Sequence, residues 1–202
     1  MSKIKLTKSE LKKQRDSLKQ FRHYLPTLLL KKQQLQMKIL EIRRELDERL
    51  VRIKERELTI EKWVGLLADQ GQALDLKPWV IPTKVITGFL NIAGANIPIL
   101  KEIEFPEVDY DFYTTPFWVD KAVEELREHM KLLVEVRVLT EQINQLAREL
   151  RVTTQRVNLF EKIKIPEALE NIRQIRIYLG DQQANAVGIS KVAKKKLEVA
   201  LT

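Results

Sequence analysis

The sequence predicts an all-α dominated fold: a long antiparallel two-helix coiled coil with a small central insert containing a short β-hairpin. Three observations carry that prediction. Apolar residues recur in alternating steps of four and three over two long stretches, as in a coiled-coil seam. No glycine occurs before Gly65, so little but Pro26 interrupts the first stretch. Between the stretches the composition shifts to proline, glycine and β-branched residues. The boundaries follow as residues 1–70 for the N-terminal helix, 71–115 for the insert and 116–202 for the C-terminal helix with its basic tail, all in one structural unit.

In the first stretch the seam runs through Leu35, Ile39, Ile42, Leu46, Leu50 or Ile53, Ile60, Val64 and Leu67. Leu11, Leu18 and Leu25 carry a seven-residue repeat upstream. The insert holds Pro78, Pro82, Pro98 and Pro106, Gly88 and Gly94, and β-branched clusters at Val85-Ile86-Thr87 and Ile97 to Ile99. That pattern reads as a hairpin turning near Ala93-Gly94-Ala95-Asn96. The insert ends acidic, with Glu102, Glu104, Glu107, Asp109 and Asp111. The second helix starts after Pro116, with Thr114 or Thr115 as its cap and the proline in its first turn. Its seam is Ala122, Leu126, His129 or Met130, Leu133, Val136, Thr140, Ile143, Ala147, Leu150, Thr154 and Val157, where the small residues let a partner helix come close.

Each helix offers one narrow apolar seam, so the two must fold back on each other to bury it. With Ala68 opposite Trp118, antiparallel partners have numbers summing to roughly 186, in a rod about 90 Å long. Pro26 then falls opposite about residue 160, less than two turns from Pro166. The stretch QRVNLFEKIKIPEALENI, residues 155–172, is a good helix except for that second proline. A proline removes one backbone donor and crowds the carbonyl four residues back. Two such defects at similar height point to a shared bend; the competing reading is a helix that stops.

Charged residues make up 32 % of the 202, and the net charge of +8 calls for an anionic partner to be considered. With no cysteine, disulfides, thiol catalysis and the usual zinc sites are excluded, and a cytoplasmic setting fits. The N-terminal MSKIKLTKSELKKQ lacks the apolar core of a signal peptide. The most apolar window, residues 79–103, is broken by Lys84, Lys101, Pro82 and Pro98, so no membrane insertion is expected. There is no P-loop, no GxGxxG and no nucleophile elbow. His23 and His129 are far apart, and the carboxylates alternate with Lys and Arg as solvated faces do. No catalytic, cofactor or metal site is therefore expected. Antiparallel folding brings the basic residues 1–20 beside Lys191 to Lys196. Such a tip suits phosphate contacts but lacks aromatics for stacking bases. The composition alone leaves a coiled-coil adaptor or secretion chaperone, and a nucleic-acid-binding rod, as alternatives.

Three stretches narrow the choice: Leu28-Leu29-Leu30-Lys31-Lys32-Gln33-Gln34-Leu35, then Asn91-Ile92-Ala93-Gly94-Ala95-Asn96-Ile97-Pro98, then Arg156-Val157-Asn158-Leu159-Phe160-Glu161 followed by Ile165-Pro166. In order and spacing they resemble the D subunit of the V/A-type (vacuolar/archaeal-type) ATPases, the central rotor shaft. They are similar to that family's Leu-Leu-Lys-x-Lys run, its Asn-x-Ala-Gly-x-x-x-Pro hairpin, and its Arg-Val-Asn-Ala-Leu-Glu and Ile-Pro-x-Leu-Glu runs. The chain departs from the family at Lys32-Gln33-Gln34, where Lys-Arg-Asp is usual, and over residues 180–185, where an acidic run is usual.

The resemblance implies a non-catalytic component, without cofactor. It would couple ATP hydrolysis or synthesis in a catalytic hexamer to the movement of protons or sodium ions by a membrane ring. The paired termini would enter the hexamer of A and B subunits, the F subunit would pack along the shaft, and the insert would face the socket subunit of the ring. It also implies a cytoplasmic location peripheral to the membrane, with no direct nucleic-acid contact. Residues expected to face the hexamer are Lys12, Lys13, Lys31, Lys32, Arg156, Lys191, Lys194, Lys195 and Lys196. Asn91, Gly94 and Pro98 would shape the hairpin, and Pro26 and Pro166 the bend.

Overall fold

A computed structural model describes residues 4–68, 76–109 and 115–200. Helix α1, Lys8–Ala68, is capped by Thr7, whose Oγ1 accepts the Glu10 N–H at 3.3 Å while its carbonyl accepts the Leu11 N–H at 3.0 Å. It runs through Pro26 without ending. A single turn, α2, spans Lys77–Val80 and leads into strands β1, Lys84–Ile92, and β2, Ala95–Glu104. Helix α3 spans Trp118–Asn158, and Val119 N–H donates to the Pro116 carbonyl at 3.1 Å at its start. A π-helical turn, Leu159–Lys164, joins α3 to α4, Ile165–Ala200. The side chains of Val64 and Leu67 lie outside the described residues, as do Asp111, Thr114 and residues 69–75.

The strands pair antiparallel, with Ile92 opposite Ala95, so Ala93 and Gly94 alone make the turn. Their φ angles of 50° and 80° are both left-handed, as a hairpin turn matched to strand twist requires. Glycine adopts that conformation without strain; Ala93 does so at a cost of about 1 kcal/mol. Asn91 locks the turn from the side. Its Oδ1 accepts the Gly94 N–H at 3.1 Å, and its Nδ2 donates to Asn96 Oδ1 at 2.6 Å. The ladder is irregular between Ile86 and Thr87, and Thr83 N–H donates to the Glu104 carbonyl at its open end.

The chain divides into two units, Gln33–Arg151 and Met1–Lys32 with Val152–Thr202. In the first, Leu35, Ile39 and Ile42 of α1, Leu146 of α3, and Ala95 and Ile97 of β2 form one core. The hairpin thus lies on the helix pair as a third layer. A second core gathers Leu76, Val80, Val119, Ala122 and Val123, with Trp63, Trp79 and Trp118 packed around it. Ion pairs mark the helix register: Arg49 Nε meets Glu135 at 2.5 Å, and Arg56 meets Glu125 at 3.0 Å and Glu128 at 3.9 Å. The helices run antiparallel, within roughly one and a half turns of the expected pairing.

The buried stripe of α3 sits one residue from the expected one over part of its length. Thr140 and Ala147 are exposed, whereas Leu139 packs on the core and Leu146 is fully buried. Leu133, expected on the seam, is 39 % exposed. An α-helix drifts by about 20° per heptad against a strict seven-residue repeat. Where two adjacent stripes are both passable, the one carrying leucine wins the burial.

In the second unit, Val157, Ala168, Ile172 and Ile175 form the buried side of the C-terminal helices, with Thr153 beside them. Phe21 of α1 meets Phe160 of the π turn with ring centroids 5.3 Å apart. Asn171 Nδ2 donates to Gln14 Oε1 at 3.4 Å. Every residue from Gly180 to Leu197 is exposed.

Candidate interaction surfaces

Three features of the described residues carry chemistry that packing alone does not require: the seat of the hairpin, the π turn before Pro166, and the exposed basic side chains.

The hairpin is seated at its tip by apolar burial and by one buried polar side chain. Gln142 of α3 is 7 % exposed and its Nε2 donates to the Pro98 carbonyl at 2.5 Å. Pro98 is buried, and Asn91 and Gly94 at the turn are exposed. At the base of the insert, Arg127 of α3 donates from Nε to the Trp79 carbonyl at 2.8 Å and from Nη2 to the Pro106 carbonyl at 2.6 Å. Its guanidinium carbon lies 5.3 Å from the Phe105 ring centroid. Neither Gln142 nor Arg127 is visible as a site in the sequence, because their partners are main-chain carbonyls, which leave no residue signature. Phe89, 76 % exposed, and Leu90, 46 % exposed, are presented outward by β1.

The π turn explains how a helix can pass a proline. Pro166 has no N–H, so the carbonyl four residues back loses its α-helical partner. Just before it the hydrogen bonding lengthens by one residue, and Ile165 N–H donates to the Phe160 carbonyl. That i to i+5 spacing is the π pattern, which appears in single turns inside α-helices. Pro26 lies inside α1 in the same unit.

Of the basic residues expected at a partner surface, Lys12, Lys13, Arg156, Lys191, Lys194, Lys195 and Lys196 are exposed, and Lys31 and Lys32 are half-buried. Lys12, Lys13, Lys31 and Lys32 lie on α1, Arg156 on α3 and the others on α4. Of the seam residues, Leu35, Ile39, Ile42, Ile53 and Val157 are buried, while Leu46, Ile60, Val136, Ile143 and Leu150 are half-buried.

Glu128, Glu170 and Lys121 are shifted chiefly by partners on their own helix. Glu128 is held below the ordinary carboxylate range, first by the hydrogen bond from Lys131 at 2.6 Å. Glu170 is lowered in the same sense, first by Arg173, which grips both its oxygens at 3.0 Å. Lys121 is raised, chiefly by its hydrogen bond to Glu124. Each pair lies within a turn on one helix, where water and salt screen such contacts and leave them weak. Among the described residues no group of three or more His, Asp or Glu stands close enough to hold a metal ion.

Residues 10–195 match the sequence profile of the ATP synthase D-subunit family. The chain is 46 % identical over 197 residues to the D subunit of the V-type ATP synthase of Borreliella burgdorferi, covering 98 % of this chain and 96 % of that one. It is 34 % identical over 197 residues to the V-type ATP synthase D subunit of Chlamydia felis, covering 98 % and 95 %. The V-type ATP synthase D subunit of Chlamydia trachomatis is 29 % identical over 197 residues, covering 98 % and 97 %.

Proposed function

The chain belongs to the D-subunit family of ATP synthases, and from that premise we propose that it is the central rotor shaft of a V/A-type rotary ATPase. In this reading it is non-catalytic. It couples ATP hydrolysis or synthesis in a hexamer of A and B subunits to ion translocation by a membrane ring. The paired termini enter the hexamer and present Lys12, Lys13, Lys31, Lys32, Arg156, Lys191, Lys194, Lys195 and Lys196. The F subunit packs along the helices, and the insert engages the socket subunit on the ring. The protein works at the cytoplasmic face of the membrane without entering it. No described helix is long and apolar enough to cross a membrane.

The observation that carries the reading is the end-to-end likeness to V-type ATP synthase D subunits, 98 % of the chain at 46 % identity. The mechanics support it. A shaft must resist twisting, and close-packed side chains interlocked along a helix pair do so. It must also present unlike surfaces to the sites around it. Pro26, Pro166 and the π turn are the kinds of feature at which helices bend, and we assign the required asymmetry to them.

A tagged chain expressed in its own cell should bring down A, B and F subunits in stoichiometric amounts; their absence from the eluate overturns the reading. Replacing Pro26 and Pro166 together by alanine should lower the ions moved per ATP hydrolysed, and an unaltered ratio would remove the bend from the mechanism.

A further inference from the structure

The insert reaches α3 at two levels, and the contacts there are different in kind. At the tip, Ala95 and Ile97 are buried among leucines and isoleucines, and Gln142 donates to the Pro98 carbonyl. At the base, Arg127 binds the carbonyl of Trp79 in α2, before β1, and the carbonyl of Pro106, after β2. One side chain therefore ties the segment leading into β1 and the segment leaving β2 to one helix. The guanidinium suits this task for three reasons. It is planar, it offers diverging N–H donors in a fixed fork, and it stacks on an aromatic face. All three are used, the last against Phe105 at 5.3 Å, with Lys131 above the same ring at 5.8 Å. A lysine offers rotatable donors on one point charge, without the fixed fork or the planar face, so it would hold the two carbonyls less rigidly and could not stack on Phe105.

We propose that Arg127 is a positioning residue for coupling: it fixes the base of the insert on α3 so that the insert turns with the helix instead of swivelling on it. The proposal rests on the rotor reading and adds to it the residue that transmits load between shaft and insert. Without Arg127 the base of the insert would rest on α3 only through the apolar core around Leu76, Val80, Val119 and Val123, which is non-directional and resists sliding less than two aimed hydrogen bonds do. With Arg127 in place the hairpin is held at both ends of its length.

The test uses the whole ATPase complex reconstituted into vesicles, with ATP hydrolysis and ATP-driven ion uptake measured on the same preparation. Arg127→Ala and Arg127→Lys should assemble and hydrolyse ATP, while ion uptake per ATP falls by at least half. Val123→Ala, which loosens the neighbouring apolar core without touching either carbonyl, serves as the comparison. It should lower thermal stability and leave the ratio intact. An unchanged ratio in Arg127→Lys overturns the proposal, as does an equal loss of ratio in Val123→Ala. Failure of the rotor reading looks different: the unaltered chain would then be missing from the complex, or dispensable for ion uptake.

Discussion

The helix pairing within residues 33–151 and that of residues 1–32 with 152–202 draw on the same four-three spacing, yet fill it differently. In the first, a hairpin covers the helices, and Leu35 and Leu146 are wholly removed from water. In the second, two helices meet without a strand over them. Ile175 is fully buried there, but Leu169 is 44 % and Ile177 55 % exposed, and an amide pair stands where an aliphatic contact would fit. A two-helix seam has wet edges; a third layer seals them. Local stability should follow the same division, since regions with fewer buried apolar contacts open more readily.

The largest expected effect tests that division directly. Leu35→Ala should cost about 2–5 kcal/mol in urea unfolding, whereas Leu169→Ala, at a wet edge, should cost well under about 1 kcal/mol. Equal losses would mean that the hairpin seals nothing. Next comes Gln142→Leu, which leaves the buried Pro98 carbonyl without its donor at a cost of about 1–3 kcal/mol. Amide exchange should speed up at Ile97 and Ile99 and stay unchanged at Ile172 and Ile175. Smaller again is Gly94→Ala, which puts a side chain at φ 80° and should cost about 1 kcal/mol, read as a lower melting temperature.

The smallest effect should treat both regions alike. Glu128 in one unit and Glu170 in the other have folded pKa values lowered from the ordinary 4.5. Their contributions are therefore complete above that pH and are lost as pH falls through the lowered values. Acid titration followed by amide exchange should show a slight, parallel loss in both units. A loss confined to one would place some other carboxylate in control.

Much of this architecture was legible in the amino acids. The α1 seam stands out because Leu35, Ile39 and Ile42 interrupt a charged background at helical spacing. The hairpin stands out because Gly94 lies between β-branched runs, and a two-residue turn needs positive φ. The exact stripe of α3 was not legible, since Thr140 and Ala147 are as acceptable at a close seam as Leu139 and Leu146, and only the partner's shape decides. The hairpin's seat was equally silent. Arg127 and Gln142 look like surface residues of a charged helix until the main-chain carbonyls they bind are in place. Pro166 marked an irregularity without saying whether the helix would stop, bend or add a π turn.

That turn bears on how the gene can change in length. An i to i+5 bond wraps one more residue into the turn than an α-helical bond does, so Leu159–Lys164 holds one residue of slack. Deleting one residue there would let the segment close as ordinary α-helix, with Ile172 and Ile175 keeping their faces. The same deletion at Arg148 would rotate everything beyond it by about 100° and carry both isoleucines off the seam. Single-residue deletions along the C-terminal helices should therefore be tolerated best between residues 159 and 164, where the chain has slack to give back.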